Sequence, residues 1–492
     1  MEQLTGKIKS HLLTALCVLC FAAYPILAVF AHNVDQLQLK QLFIPLTTSL
    51  VLATFFYGVW YVVFRNSIKA CLATALLLLI FWNYELLFDF KNGLLQLGHF
   101  IALPVVLLVF FLLLFLLTLE IKAKTLINIR TILLLPMTLL IAFNVFVIGK
   151  GEVSKARHSR IGFETREITT AQADDHPDIY ILIFDEYASL PTMQAIWAYD
   201  NSAFAESLEA KGFFFARNAK TRYSFTHMAI PGILDLNYPD EDVSRTESMA
   251  IINNNYVFRH LHQLGYEIHF LDGWGSFQYT FRIPVADFVC IYNTDYGPLY
   301  RLDQFTYMLF SRSMLTFWTS SLLVDNANLY FQGHNYFLDY IEDFPALTKA
   351  SEAPRLLYAH VMAPHLPFVF KRDGSFNVNP TNYWEYRDIE PETLRELYLE
   401  QYIYITQRID EITSSILANS DSEPVILVFS DHGPRRSSAG VSESEHHHRV
   451  LNAVYFPGQD YSALYDSISP KNTMRAFFNA FFGTDYEVGG DH

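Results

Sequence analysis

Cysteine is scarce in this chain, and positive charge is scarce in its longer, C-terminal part. Four cysteines occur among 492 residues, and three of them lie in apolar runs, which excludes a disulfide framework as the basis of the fold. Residues 1–150 carry 10 Lys/Arg against 5 Asp/Glu, whereas the remaining residues carry 25 against 45. An acidic part without a basic stripe argues against nucleic acid as a partner.

Long apolar runs fill the first 150 residues. Five runs are each about 20 residues long, which is enough for a helix to cross a bilayer. They cover residues 11–31, 43–64, 69–88, 100–119 and 128–149. The first run is too long for a signal peptide and lacks its small-residue cleavage site. We therefore predict an N-terminal transmembrane domain of five helices over residues 1–150.

The basic residues around these runs predict their orientation. Lys7 and Lys9 precede the first run, Arg65 and Lys69 separate the second from the third, and further basic residues separate the fourth from the fifth. Cytoplasmic loops carry an excess of Lys and Arg, so the N-terminus is predicted to be cytoplasmic. With five spans, the rest of the chain lies outside. We expect a multi-pass protein of the inner (plasma) membrane with an extracytoplasmic C-terminal domain.

The pattern changes after a polar linker at 151–177. Short apolar strands now alternate with helical segments, and the strand patterns cover 178–184, 212–217, 266–271, 356–362 and 424–430. The first and last of these are continuously apolar, which is typical of central parallel strands covered on both faces. The alternation predicts one α/β domain over residues 178–492 with a mostly parallel central sheet.

Acidic and imidazole side chains follow several of these strands. Asp185 and Glu186 follow the first strand, and Asp431 and His432 follow the last. Ligands of open α/β sheets bind beyond the carboxyl ends of the strands. Carboxylates and imidazoles at that place suit a divalent cation such as Zn²⁺, Mn²⁺ or Ca²⁺. One such residue alone is more typical of a helix cap, but their recurrence at several strand ends predicts a metal site.

The segment 222–231 carries a candidate nucleophile. Proline is tolerated in the first turn of a helix, so Pro231 places Thr226 at or just before a helix N-terminus. Backbone N–H groups and the helix dipole there favour an anion or an alkoxide. Taken alone, a hydroxyl at this position is more typical of a cap than of a catalyst.

These motifs resemble the alkaline phosphatase/sulfatase superfamily, and within it the membrane-anchored branch of lipoteichoic acid synthases and phosphoethanolamine transferases. That branch also places five spans before an extracytoplasmic α/β domain. Its late Asp-His-Gly motif is matched by residues 431–433, and its nucleophilic Thr, four residues and Pro by Thr226 to Pro231. The resemblance implies an alkaline-phosphatase-like catalytic domain with Thr226 as the nucleophile. The metal ligands that it implies are Asp185, Glu186, Thr226, Asp431 and His432.

The resemblance also implies residues that contact the substrate. His365, in Ala-Pro-His-Leu-Pro, matches a histidine that binds the transferred group or protonates the leaving group. A further histidine is expected among His446, His447 and His448, and we favour His448, with a solvated histidine loop as the equal alternative. Among the arginines, Arg222, Arg435 and Arg436 are candidates to pair with phosphate oxygens, although solvated surface arginines fit equally well.

The function implied by the resemblance is the transfer of a phosphoethanolamine or phosphoglycerol head group. The donor would be a membrane phospholipid, the acceptor an envelope glycan or lipid, and the intermediate covalent at Thr226. Two alternatives stay open. One is a hydrolase of sulfuric or phosphoric esters on the same fold, although the sulfatase motif Cys/Ser-x-Pro-x-Arg is absent. The other is a membrane receptor or scaffold protein with a degenerate site.

Overall fold

The computed structural model of the protein describes residues 2–34, 37–84, 99–158, 176–272, 283, 285–291, 304–349, 351, 353–378 and 389–490. The chain divides into two compact units. The helical unit comprises Met1–Ala156 together with Leu299–Leu323, and the sheet unit comprises Arg157–Pro298 together with Val324–His492. The chain therefore passes from one unit to the other three times.

The helical unit contains a helix at each of the five predicted positions. The helices are α1 (Glu2–His32), α2 (Phe43–Phe64), α3 (Ser67–Trp82), α4 (His99–Thr118) and α5 (Ala123–His158), with a 3₁₀ turn at Leu39–Leu42. Within the described residues, three stretches are long and apolar enough to cross a membrane, namely Ile8–His32, Leu39–Phe64 and Ala123–Ser154. Helix α3 is shorter, and residues 85–88 of the third predicted span lie outside the described residues. Five spans remain a prediction.

Helix α5 continues well past the last predicted span. It has 36 residues and ends at His158, so the predicted start of the linker at 151 is too early. The residues beyond the apolar run include Glu152 and Lys155, which are good helix formers. A change from apolar to polar residues marks a change of surroundings and does not by itself end a helix. Residues 159–175 of the predicted linker lie outside the described part of the chain.

Buried polar side chains link the helices of this unit. Trp82 Nε1 donates to Ser49 Oγ at 2.9 Å, and the Ser49 hydroxyl donates to the carbonyl oxygen of Ala22 at 2.7 Å, so three helices share one chain of hydrogen bonds. Arg130 of α5 donates to Thr14 Oγ1 of α1 at 3.1 Å. Unsatisfied polar groups are costly in an apolar environment, so these internal partners stabilise the bundle.

The sheet unit is built on one seven-stranded sheet. Its strands are β1 (Ile179–Phe184), β2 (Phe214–Phe215), β3 (Glu267–Asp272), β4 (Phe288–Ile291), β5 (Arg355–Val361), β6 (Val425–Phe429) and β7 (Asn452–Tyr455). The order is β2-β7-β6-β1-β5-β3-β4; the run from β6 to β4 is parallel, and β7 is antiparallel to both neighbours. The prediction of a mostly parallel sheet is confirmed. Strands β4 and β7 were not predicted, because four residues give too short a pattern.

Helices cover both faces of the sheet. They are α6 (Leu190–Trp197), α7 (Ser202–Ala210), α8 (Thr226–Leu234), α9 (Arg245–Asn253), α10 (Tyr256–Gln263), α12 (Thr316–Leu347), α13 (Pro391–Asn419), α14 (Arg436–Ala439) and α15 (Pro470–Phe482). Alternate residues of β1 pack into two separate cores, with Leu182 among residues of α13 on one side and Ile181 among residues of α8, α10 and α15 on the other. Both faces of β1 are therefore dry, as its continuously apolar sequence predicted.

One insertion in the sheet-unit sequence belongs to the helical unit. It contains helix α11 (Gln304–Ser311), and residues 304–315 are called the return segment below. Phe305 meets Phe30 edge to face with ring centroids 5.6 Å apart, and Phe310 lies 6.1 Å from the ring of Trp82. The prediction of one uninterrupted domain over 178–492 misses this insertion. Its apolar composition is the same as that of a core helix, so composition alone does not reveal the partner.

Candidate metal centre and nucleophile

Three neighbouring strands bring the candidate ligands together. Strand β1 lies between β5 and β6, and all three are parallel, so their carboxyl ends meet at one edge of the sheet. Asp185 follows β1, His360 is the penultimate residue of β5, and Asp431 follows β6. His360 Nε2 lies 3.7 Å from Asp185 Oδ2, and one ligand atom from each of the three residues lies within 4.8 Å of the others. All three side chains are buried.

His432 joins this group with a defined ring orientation. Its Nε2 lies 3.3 Å from Asp431 Oδ2 and 3.8 Å from Asp185 Oδ1. Its Nδ1 lies 3.0 Å from the carbonyl oxygen of Gly433, which accepts only, so Nδ1 carries the proton. Nε2 is then unprotonated, and its lone pair faces the carboxylates of Asp185 and Asp431, where a cation would bind.

Gly433 is required by the close approach of another loop. A Cβ atom at this position would collide with the carbonyl oxygens of His446 and Arg449. The Gly433 N–H donates to the carbonyl oxygen of His447 at 2.8 Å. The glycine of the Asp-His-Gly motif therefore lets the segment 446–449 pack against the site and hold the backbone next to His432.

Thr226 occupies the position that the sequence predicted. It is the first residue of α8, so the prediction of a helix N-terminus is correct. Its Oγ1 lies 3.4 Å from His432 Nε2. The hydroxyl therefore contacts one of the candidate metal ligands and lies where the first N–H groups of the helix are unsatisfied.

Pro231 shapes the helix that carries Thr226. Proline has no N–H, so the carbonyl oxygen of His227, four residues earlier, loses its helical partner. The buried hydroxyl of Ser248 in α9 donates to this carbonyl oxygen in place of the missing amide. Helix α8 therefore keeps its proline without an orphaned buried acceptor, and its first turn is tied to α9.

Burial sets the charge of the site. It lowers the pKa of His360 to about 4, and it also lowers the pKa of His432, so both imidazoles are neutral at neutral pH. Burial acts to raise the pKa of Asp431, but the backbone N–H of His432, which donates to Asp431 Oδ1 at 2.8 Å, helps to hold that pKa below its usual value. Neutral imidazoles beside ionised carboxylates are the protonation states that metal ligands need.

The residues present fit a divalent cation. Asp431 Oδ2 is fully buried and accepts no hydrogen bond from the residues that the structure describes. A buried carboxylate oxygen without a partner carries a large desolvation cost, which a bound cation removes. Asp185, Asp431 and His432 would hold the cation, with His360 and Thr226 beside them. Of these, His360 was not predicted as a ligand.

His360 was overlooked because it lies inside a strand pattern. The run 356–362 reads as a buried strand, and a histidine within such a run is ordinarily assigned to the core. The signal was its position near the carboxyl end of a central strand, five residues before His365. For assigning His360 as a candidate ligand, its position at the strand end is therefore more informative than its apolar neighbours.

Replacing His360 by asparagine is expected to weaken cation binding by about 10- to 100-fold, the range typical of lost supporting groups at metal sites. The matched control is His260→Asn, because His260 is also fully buried but packs against Tyr256 and Phe478. Titration of the metal-depleted full-length protein with Zn²⁺ or Mn²⁺ measures the affinity. Equal affinity of the two variants would show that His360 is a core residue.

Glu186 binds protein donors through one of its oxygens, and its role as a metal ligand stays a prediction. Its Oε1 accepts hydrogen bonds from Arg435 Nε and from Ser438 Oγ, so this oxygen is committed to protein donors. Its Oε2 is buried and has no hydrogen bond among the described residues. Arg435 in turn lies over the ring of Phe225, with 5.3 Å between the guanidinium carbon and the ring centroid. Glu186 therefore anchors Arg435 next to the residue that precedes Thr226.

His365 lies in the same buried cluster. Its backbone N–H donates to the carbonyl oxygen of Asp185 at 3.2 Å, and its Nδ1 lies 2.6 Å from the carbonyl oxygen of Leu366. Burial lowers the pKa of His365, while the nearby carboxylate of Glu186 opposes that shift. The structure thus brings His365 to the site that the sequence predicted for it.

Gln401 of α13 holds the loop that carries His365. Its Nε2 lies 3.1 Å from the carbonyl oxygen of Pro364 and 3.0 Å from that of His365. Its Oε1 accepts from the N–H groups of Val369 at 2.9 Å and Phe370 at 3.1 Å. A buried loop has to pair its backbone groups somewhere, and one fully buried side-chain amide meets this need.

The variant Gln401→Glu is expected to lower the thermal midpoint of the protein by about 5 °C or more, because it removes the amide donor and buries a carboxylate against carbonyl oxygens. The reverse change on the exposed face of the same helix, Glu396→Gln, is the control and should leave the midpoint unchanged. Differential scanning fluorimetry of the full-length protein measures both. An unshifted midpoint for Gln401→Glu would contradict this role.

A cavity of about 580 Å³ opens beside the residues that precede Thr226. Its lining consists of Ser224, Phe225, Ile389, Glu390, Pro391, Leu394, Arg435, Arg436, Ser437 and His447. His447 is the only histidine of the 446–448 run in this lining. The predicted His448 instead lies with Nδ1 3.2 Å from the carbonyl oxygen of Thr221, and His446 Nδ1 pairs with Thr192 Oγ1. His447 is thus the histidine of this run that lines the cavity, and the preference for His448 stays a prediction.

The two predicted arginines also differ in position. Arg435 is part of the cavity lining and pairs with Glu186, as described above. Arg222 is exposed and pairs at 3.3 Å with the exposed carboxylate of Glu241, over the ring of Tyr223. Arg222 does not line the cavity, so the solvated-surface alternative fits it better.

Fold and site together define a class: an α/β domain with a candidate metal centre and a helix-borne hydroxyl, preceded by apolar helices. No family model matches the sequence, and no curated protein matches it. Solved structures are similar to it in fold. The phosphoethanolamine transferase EptA, an integral membrane protein from Neisseria meningitidis, has a TM-score of 0.43 and 12% identity, with 95% of each chain covered.

Two further structures are similar to roughly two thirds of the chain, at 65% and 63% coverage. The periplasmic domain of EptC from Escherichia coli, in complex with Zn, has a TM-score of 0.43 and 10% identity over 65% of this chain and 85% of that one. The proposed sulfatase yidJ from Bacteroides fragilis has a TM-score of 0.39 and 13% identity over 63% of this chain and 76% of that one. These neighbours belong to the alkaline phosphatase/sulfatase superfamily that the motifs resemble. The scores indicate distant similarity, so function has to be inferred from the site itself.

Proposed function

We propose that this protein is a membrane-anchored, metal-dependent enzyme that transfers a phosphoryl-linked head group, of the phosphoethanolamine or phosphoglycerol type, from a phospholipid to an envelope glycan or lipid. The observation that carries the proposal is the position of the Thr226 hydroxyl. It lies at a helix N-terminus, 3.4 Å from His432 Nε2, beside a buried set of candidate cation ligands. That combination supplies an activated nucleophile and a site for an anionic substrate.

In the first step, the Thr226 hydroxyl gives up its proton, Thr226 Oγ forms a bond to phosphorus, and the bond from phosphorus to the diacylglycerol oxygen breaks. A divalent cation held by Asp185, Asp431 and His432 would lower the pKa of that hydroxyl and balance the charge on the phosphoryl oxygens. The first N–H groups of α8 would donate to the same oxygens. Diacylglycerol leaves with one proton gained, and His365, which burial keeps neutral at rest, would take up a proton before giving it to the departing oxygen.

In the second step, an acceptor hydroxyl attacks the phosphorus of the phosphothreonine. The bond between Thr226 Oγ and phosphorus breaks, the acceptor hydroxyl loses its proton, and Thr226 takes up one proton in turn. Arg435 and Arg436, both in the cavity lining, are the guanidinium groups available to pair with the phosphoryl oxygens during both steps. Arg435 is already aligned by Glu186, so its ordering costs little when the substrate binds.

The helical unit gives the enzyme access to its donor. A phospholipid head group lies at the membrane surface, and an enzyme held in the same membrane meets it by lateral diffusion. The three stretches that are long and apolar enough to span support an integral membrane protein. We infer that the protein lies in the inner membrane, with the sheet unit on the extracytoplasmic side and the five spans predicted from the sequence.

Vesicles that contain the full-length protein and a head-group-labelled phospholipid test this function. Phosphatidylethanolamine and phosphatidylglycerol are offered in turn, with and without an envelope glycolipid as acceptor. We expect label to move to the acceptor in one of the two donor series. Release of label into water at the same rate without acceptor would identify the ester hydrolase instead. No turnover, together with no bound divalent cation by metal analysis, would favour the receptor or scaffold protein.

A further inference from the structure

The return segment buries its apolar side chains within the helical unit. Phe305, Met308, Leu309 and Phe310 are each less than a tenth exposed. The Met314 N–H donates to the carbonyl oxygen of Phe81 at 3.0 Å, next to the ring contacts with Phe30 and Trp82. These partners lie at the end of α1 and the end of α3, and the 3₁₀ turn before α2 lies alongside. The segment therefore packs on one end of the bundle.

That end is the one predicted to face the outside. With the N-terminus in the cytoplasm, α1 ends, α2 begins and α3 ends on the extracytoplasmic side. In the sequence, the return segment lies between β4 and α12. Strand β4 belongs wholly to the sheet unit, and α12 belongs to it from Val324 onward. The chain thus enters the helical unit a second time, about 140 residues after it first left, since the two unit boundaries lie at Ala156 and Leu299.

We propose that the return segment is a second, non-covalent anchor that keeps the sheet unit attached to the membrane after the linker is cut. Four buried apolar side chains and a backbone hydrogen bond form an interface of the kind that holds protein cores together. The linker at 159–175 is then not the sole attachment. The occupant of the binding surface on α1 and α3 is this segment of the same chain. The inference does not depend on the proposed enzymatic function.

The test uses the full-length protein in membrane vesicles with a protease site inserted between residues 159 and 175. The protease must not recognise Asn-Leu-Tyr-Phe-Gln-Gly, because residues 328–333 carry that sequence. After cleavage, the vesicles are washed in high salt and pelleted. We expect most of the C-terminal fragment to stay in the pellet with the N-terminal fragment. Appearance of the wild-type fragment in the supernatant would overturn the proposal.

The variant Phe305→Asp/Phe310→Asp places two carboxylates in the interface and is expected to release the cut fragment. The matched control is Leu347→Asp/Val378→Asp, which introduces the same charges at exposed apolar positions of the sheet unit. The control fragment should stay in the pellet. Retention of the interface variant equal to that of the control would show that something other than this segment holds the sheet unit.

A second measurement does not rely on a destabilising variant. The variant Phe30→Cys/Phe305→Cys replaces the two rings whose centroids lie 5.6 Å apart, and a short bifunctional thiol reagent is added to intact vesicles before cleavage. We expect the two fragments to migrate together on a denaturing gel when both cysteines are present. Each single variant controls for the native cysteines. Separate migration of the doubly substituted fragments would overturn the proposal.

Discussion

Replacing Thr226 by alanine is expected to lower the rate of head-group transfer by at least about a thousandfold, as loss of a nucleophile does in other covalent enzymes. The covalent adduct on the protein should disappear as well. Intact-protein mass spectrometry after brief exposure to labelled donor measures the adduct, and label transfer measures the rate. The cation should remain bound, because Asp185, Asp431 and His432 are unchanged.

Two matched variants separate this result from misfolding. Thr226→Ser keeps a hydroxyl at the first position of α8 and should retain the adduct at a reduced rate. Ser224→Ala removes the neighbouring hydroxyl, which lines the cavity but lies before the helix, and should leave the adduct in place. Undiminished activity of Thr226→Ala would remove the central claim. Loss of the adduct in Ser224→Ala alone would move the nucleophile to Ser224.

The variant Asp431→Asn is expected to lower the bound divalent cation to less than about one-tenth of the wild-type content, since removal of a direct ligand costs more than removal of a supporting group. Asp431 lies next to His432 and carries the buried oxygen that has no hydrogen bond among the described residues. The amide is nearly the same size as the carboxylate but has no charge. Mass-spectrometric metal analysis of the purified protein gives the content, and activity should fall with it.

Asp466→Asn is the control for this variant. Asp466 also accepts hydrogen bonds, from the backbone N–H of Arg217 and the side chain of Asn218, but it lies in an exposed loop. Its amide variant should keep the wild-type metal content. If Asp431→Asn kept its cation too, the ligand assignment would be wrong. Added Zn²⁺ or Mn²⁺ at high concentration should partly restore activity to Asp431→Asn, because weakened binding is overcome by mass action.

The central part of the fold was predictable because its signals are local. Residues 178–184 and 424–430 are continuously apolar, and both became fully buried central strands. Polar residues directly after such strands lie at one edge of a parallel sheet, so Asp185, Asp431 and His432 were found together. The site of Thr226 was predictable for a similar reason, because the conformational limits of Pro231 act within one helix turn.

The remaining features depend on partners that are distant in sequence. The three histidine side chains have different surroundings, with His447 in the cavity lining, His446 on Thr192 and His448 on the Thr221 carbonyl oxygen, and nothing local to the three residues encodes this. The hydrogen bond from Arg435 to Glu186 joins residues that are 249 positions apart in the sequence. The return segment has the composition of any buried helix, so only the tertiary structure identifies the unit in which it lies.

The proposed nucleophile and the candidate metal ligands occupy different parts of the fold. The candidate ligands Asp185, Asp431 and His432 follow the central strands β1 and β6, whereas Thr226 begins a helix that contains Pro231 and accepts a hydrogen bond from Ser248. A substitution at position 226 therefore changes the attacking group without disturbing a strand. Selection can exchange one attacking group for another while the same cation is kept, which separates the evolution of reaction type from the evolution of metal binding. Position 226 is the place where this chain would acquire a new ester chemistry in a single step.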